Sequence, residues 1–278
     1  MANRQIVNGE VVEGDRIEFT VTNPSFAFGY GLFETIKFTR GRPCFFDEHY
    51  DRLEGAAREV GLSLGFDRQE MRGQAMRLFE VNGVTEGVFK ISLTMEGAGT
   101  RITLFLRNIG FDATNGPIRL CQSKAIKSSR AFTTVAKTLN YMDNWLELQR
   151  AQSKGFEQCL FSNERGEITE CATANIFFVK DGALKTPALK CGLLEGVIRG
   201  QILRIAAEEG WLVDEGVYGV EEFSSADEAF ATSSGKGIVA VSEFLGDRLV
   251  TFPTVESERV RHLISRLAIR ELESLSIS

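Results

Sequence analysis

Between Lys137 and Gly200 three polar landmarks punctuate a run of short apolar stretches. They are a lysine ahead of a helix (KTLNY), a glutamate closing a short strand (ITECATANIFF) and a glycine turn opening a second helix (TPALKCGLLEGVIRG). YMDNWLELQRAQSKGF has the helical period and stops at Gly155, whereas EQCLFSN, GEITE, ANIFFVKDG and ALKTP read as short strands joined by Asn-Glu-Arg-Gly and Asp-Gly turns. The spacing predicts a meander flanked by helices. GVIRGQILRIAAEEG reads as the second helix, and its first backbone N–H groups, which have no partner within the helix, suit a phosphate.

Before this stretch, RIEFTVTNPSFAFGYGLFETIKFTRGRPCFF clusters β-branched and aromatic residues and predicts strands and hairpins broken at Asn-Pro and Gly-Arg. DEHYDRLEGAAREVGL then puts Tyr50, Leu53, Ala57 and Val60 on one helical face after a candidate N-cap at Asp47. DRQEMRGQAMRLFEVNG reads as another helix, and VFKISLTMEG and TRITLFLRNI as strands. Asn115-Gly116-Pro117 breaks any regular element. The expected division is therefore 1–110, a linker at 111–119, and 120–278, with DEAFATSS a strand and TVESERVRHLISRLAIRELESL a terminal helix.

Composition excludes more than it identifies. A net charge of -6 leaves no basic footprint for nucleic acid. Two histidines and five cysteines without a CxxC pair argue against a metal site and for a reducing, cytoplasmic setting. MANRQIVNGEVVEG lacks the apolar run of a signal peptide, and no apolar segment approaches the ~20 residues of a membrane span.

FGYGLFETIKFTRGRPCFFDEHYDRL, KTLNY, ECATAN, GLLEGVIR and FATSSGKGIVAV, in that order, resemble the motifs of the class IV (fold type IV) pyridoxal phosphate (PLP) enzymes. That family holds branched-chain aminotransferases, D-amino acid aminotransferases and aminodeoxychorismate lyases. The resemblance runs from about Asn8 to Val241. It implies an α/β (α+β) fold with a small N-terminal α/β domain, a larger domain of β-barrel character, PLP in the cleft between them, and a homodimer.

The resemblance also implies roles. Lys137 would be the catalytic Schiff-base lysine, and Glu170 would keep the pyridine nitrogen protonated so that the ring serves as an electron sink. Arg52, the N–H groups of Val197 and Ile198, and the hydroxyls of Ser233 and Ser234 would hold the phosphate, Tyr141 the ring oxygen, and Leu194 the ring face. The motif departs from the family at Glu195, where proline is usual, and at Ile198, where threonine is usual; Glu195 is expected to point outward. Cys171 reads as a packing residue and His49 as a packing or hydrogen-bonding neighbour of Arg52 in the same helix, not an acid or base. Tyr30 replaces the usual aspartate of YGDG without an evident reason.

Substrate contacts are assigned to Phe33, Thr173 and Gly235, and LTMEG stands where the family often carries a carboxylate-binding arginine. Arg101, Lys90 and Arg130 are candidates for that charge. Arg130 follows the D-amino acid enzymes, Tyr141 the branched-chain enzymes, and ECATAN the lyase. The expected activity is amino-group transfer between an amino acid and a 2-oxo acid. The alternatives are aminodeoxychorismate lyase and a non-catalytic protein of the same fold.

Overall fold

The computed structural model describes residues 4–107, 116–253 and 258–276. Residues 111–115 of the expected linker lie outside the described residues. The chain divides into two compact units. One takes the described residues of Met1–Phe111 together with Ala136–Asn140 and Arg270–Ser278; the other takes those of Asp112–Val135 and Tyr141–Ile269. The lysine segment therefore belongs to the first unit, while the helix that follows it belongs to the second.

The first unit contains β1 (Arg4–Val7), β2 (Glu10–Glu13), α1 (Pro24–Phe28), β3 (Gly31–Thr39), β4 (Arg42–Pro43), α2 (Phe46–Glu59), α3 (Arg68–Asn82), β5 (Gly87–Glu96) and β6 (Gly99–Leu106). The strands form an antiparallel sheet in the order β2-β1-β6-β5-β3-β4. Alternation along β3 puts Leu32, Glu34, Ile36 and Phe38 on one fully buried face, so a carboxylate shares a face with three large apolar side chains. Phe38 stacks on Phe79 of α3 at 3.9 Å, and Phe79 meets Phe89 edge-on at 5.0 Å. Beneath the sheet, α2 buries Phe46, His49, Tyr50, Leu53 and Ala57.

Two local expectations change. The aromatic run around Asn23-Pro24 is not a strand: Asn23 caps α1, accepting from Ser25 N at 2.8 Å, with Pro24 at the start of the helix. Proline lacks the N–H a ladder needs but suits a first helical turn. Likewise α2 starts at Phe46, behind Phe45 in the left-handed conformation, so Asp47 sits inside the first turn and pairs with Arg72 at 2.8 Å instead of capping.

The second unit contains β7 (Ile118–Lys127), α4 (Phe132–Val135), α5 (Met142–Ser153), β8 (Gln158–Asn163), β9 (Ile168–Cys171), β10 (Asn175–Lys180), β11 (Ala183–Pro187), α6 (Val197–Glu208), β12 (Val213–Gly216), α7 (Val220–Ser224), β13 (Glu228–Ser233), β14 (Gly237–Leu245), β15 (Leu249–Thr251) and α8 (Glu258–Ser274), whose last residues from Arg270 belong to the first unit. Its mixed sheet runs β12-β11-β10-β13-β14-β7-β8-β9, with β15 on β14. The sheet curls, because β9 at one edge comes back against β10, and Cys171 N–H donates to Ala174 O at 2.8 Å. Phe178, Phe223, Phe244 and Tyr218 fill the inside with edge-on ring contacts. Among the described residues no helix is long and apolar enough to cross a membrane.

Candidate active site

In the first unit the lysine segment lies along β3. Phe33 N–H donates to Lys137 O and Leu139 N–H to Gly31 O, both at 2.9 Å. The segment uses the part of β3 that β4, paired only at Phe38 and Thr39, leaves uncovered. Gly31 permits the approach, since a β-carbon there would lie 2.6 Å from both Leu139 Cδ1 and Leu93 O. The result is a lysine fixed by its backbone with its Nζ 4.6 Å from the centre of the Phe33 ring. Lys90 Nζ lies 4.2 Å from the same ring centre. Burial, with help from Arg107, pushes the Lys90 amine down to about 8.

On the other face of β3, Glu34 is enclosed by His49 and Arg52 of α2. Its carboxylate meets His49 Nδ1 at 2.8 Å, Arg52 Nε at 2.8 Å and Arg52 Nη2 at 2.7 Å. Burial alone would raise the Glu34 carboxyl, but the Arg52 guanidinium and His49 outweigh it and hold the group well below the usual carboxylate range. Burial also lowers His49 against the pull of Glu34, which favours a neutral ring donating from Nδ1. The expected phosphate ligand Arg52 is thus set in orientation by a bidentate carboxylate, a role the sequence reading had not given to Glu34. Arg101 Nε and Nη2 bond to Glu96, and its Nη1 donates to Glu18 O at 2.9 Å. Tyr30 donates its phenol to Val60 O at the end of α2, which accounts for the tyrosine.

In the second unit Glu170 lies buried at the end of β9. Lys127 Nζ meets its Oε1 at 2.5 Å; Leu194 N–H and Asn175 Nδ2 reach its Oε2 at 3.2 and 3.3 Å. Asn175 Nδ2 also donates to Leu194 O at 2.8 Å, fastening the glycine turn to β10. At Gly196 a β-carbon would overlap Asn175 Oδ1, and at Gly192 it would lie 2.5 Å from Ser129 Cα, so both glycines of the turn are required by close packing. α6 begins at Val197 with no side-chain cap, and Val197 and Ile198 are buried. Arg199 anchors this end by donating to Pro187 O at 3.0 Å and Glu215 at 2.6 Å. Glu195 is exposed.

The other predicted residues of this unit are spread around the same strands. Tyr141 Oη and Asn144 Nδ2 both donate to Ala172 O, at 2.8 and 2.6 Å, tying the start of α5 beside Glu170. Thr173 Oγ1 accepts from Gln158 at 2.6 Å, and Arg130 is exposed. Ser233 ends β13, and the Ser234-Gly235 turn leads into β14. Thr232, opposite Asn175 in the β10–β13 ladder, has a buried Oγ1 with no hydrogen-bond partner among the described residues. Cys171 is buried, and burial raises its thiol well above the ordinary value, so it packs instead of reacting. Lys127 and Asn175 are the site residues the motif reading passed over; the Asn in ECATAN was the available signal.

This donor set fits a phosphorylated pyridine. An uncapped helix start with glycines that leave no room for side chains suits a phosphate, an orphaned buried threonine hydroxyl offers a further donor, and a buried carboxylate suits a protonated ring nitrogen.

The comparisons agree with that chemistry. The chain matches the amino-transferase class IV family over residues 31–244. It is 28% identical over 86% of its length to the proposed branched-chain-amino-acid aminotransferase of Methanocaldococcus jannaschii, covering 87% of that protein. It is 26% identical to the aminodeoxychorismate lyase of Bacillus subtilis, over 82% of each chain. The crystal structure of Escherichia coli branched-chain amino acid aminotransferase superposes with a TM-score of 0.89 at 21% identity, over 100% of this chain and 97% of that one. The fold is thus that of a solved aminotransferase, and the family match over residues 31–244 shows that the chain belongs to the class IV aminotransferase family.

Proposed function

We propose that the chain binds PLP through Lys137 and transfers an amino group between an amino acid and a 2-oxo acid. The observation that carries the reading is the lysine whose segment is bonded to β3 and whose amine faces Phe33, an apolar wall suited to an uncharged substrate side chain. PLP, when bound, supplies a ring that withdraws electrons from the substrate Cα. Glu170 holds the proton on the ring nitrogen. The N–H groups of Val197 and Ile198, the hydroxyls of Ser233 and Ser234, and Arg52 in the orientation fixed by Glu34 hold the phosphate. Leu194 packs on the ring face, and Tyr141 contacts its oxygen.

With the cofactor bound, the Lys137 amine would serve as the base that takes the proton from the substrate Cα and as the acid that gives it back. Phe33, Thr173 and Gly235 bound the substrate. For its carboxylate, Lys90 is the better placed cation: Arg101 is clamped by Glu96 and Glu18, and Arg130 is exposed. Met142, Trp145 and Leu146 form an exposed apolar stripe on α5, which supports a homodimer. Five buried, unpaired cysteines fit a reducing cytoplasm.

The lyase is the second reading, supported by the Bacillus subtilis relative. A half-reaction screen separates the two. Single L- and D-amino acids should bleach the visible absorbance of the PLP-loaded protein, and 2-oxo acids should restore it. Borohydride should trap the cofactor on Lys137. Release of pyruvate and 4-aminobenzoate from aminodeoxychorismate, with no response to any amino acid, would overturn amino transfer in favour of the lyase.

A further inference from the structure

Lys127 and Glu170 form a buried ion pair that none of the family motifs contains. β7 and β8 pair in parallel, but the offset of their pairing changes by two residues between Gln122 and Ile126, and beyond that bulge Lys127 stands opposite Asn163. From there its side chain crosses the ring of Phe161 on β8, with Nζ 4.9 Å from the ring centre, and reaches Glu170 on β9 at 2.5 Å. Lysine and glutamate are each almost fully buried, with side chains 9% and 7% exposed. Among the described residues the thiols of Cys159 and Cys171 also face the pair, and burial keeps both protonated.

We propose that Lys127 is a positioning residue that pins Glu170 through Oε1 and shares its negative charge, leaving Oε2 to face the cofactor's ring nitrogen. The inference rests on the reading that Glu170 serves that nitrogen. Among the described residues Oε2 receives bonds from Asn175 and Leu194 at 3.3 and 3.2 Å, both far longer and weaker than the ammonium's 2.5 Å bond to Oε1, so it is the oxygen free to turn to a stronger donor. A carboxylate already matched by an ammonium attracts a pyridinium proton less than an isolated one does. The ion pair thereby sets both the direction of Glu170 and how tightly the ring nitrogen keeps its proton.

The test uses the full-length protein loaded with PLP labelled with 15N at the ring nitrogen. In Lys127→Met the nitrogen titration, followed by NMR, should move to higher pH by about one unit or more, because a cation within contact distance of the counter-charge is gone. Lys127→Arg should return it towards wild type, which a merely structural role would not require. In parallel, Lys127→Met and Glu170→Gln should each lower the thermal midpoint, and the double variant should be no less stable than the worse single one. An unchanged nitrogen titration in a Lys127→Met protein that still carries the chromophore would overturn the role of Lys127 alone. Additive losses of stability would overturn the pairing itself. A wild-type protein that forms no PLP chromophore would overturn the cofactor reading and this inference together. If Lys127→Met does not fold, the same titration on Lys127→Arg and Lys127→Gln decides, with a shift in the glutamine variant alone as support and no shift in either as refutation.

Discussion

At Gly196 one missing β-carbon holds the candidate phosphate turn together. Asn175 occupies the space a side chain would need and links Gly196, Leu194 and Glu170 at once. Gly196→Ala should therefore push the turn off β10, costing about 1–3 kcal/mol as an overpacked site. If the turn holds phosphate, PLP affinity should fall with it. Urea unfolding and a PLP titration measure the two, and a fully stable variant with normal PLP affinity would show that the turn tolerates a side chain. The sequence pointed to the glycines, but only the packing identifies what fills their place.

Among the elements, the segment 136–140 depends on β3. Two backbone bonds and the bare Gly31 bring it in, so Gly31→Ala, clashing with Leu93 O and Leu139, should weaken its seat. Borohydride trapping on Lys137 should slow, and hydrogen exchange at the amide of Leu139 should rise, with smaller effects on β5 and β6. Equal exchange in wild type and variant would count against this account. α1 carries the opposite lesson: aromatic residues suggested a strand, but Asn23 and Pro24 determine a helix start. β7 shows a third case, because the bulge that turns Lys127 inward leaves no mark in composition.

For the whole molecule, acid should be destabilising in two stages. His49 is depressed below its ordinary 6.5 by burial, so as pH falls through that value the unfolded chain takes up a proton that the folded chain resists. Glu34 is depressed below its ordinary 4.5; its contribution is complete above that value and is lost as pH falls further toward its folded value. The thermal midpoint should thus decline from neutral pH downward and more steeply below about 4.5. Glu34→Gln should lower stability at neutral pH by about 3–5 kcal/mol, the usual cost of breaking a buried pair, and flatten the acid limb. A variant with the same acid limb as wild type would place the proton uptake elsewhere.

Local rules in the sequence determined the helices, the meander strands and the order of lysine, glutamate and glycine turn, because periodicity, turn residues and helix starts act over a few residues. The family followed from the same motifs. Tertiary structure alone decided which polar groups became partners: Glu34 with Arg52 and His49, and Lys127 with Glu170 across Phe161. It also decided that Ala136–Asn140 joins the first unit while Tyr141 begins the stretch of the second that carries α5. Such pairings link residues far apart in the chain, and their energy depends on burial and on strand register, which no local pattern records.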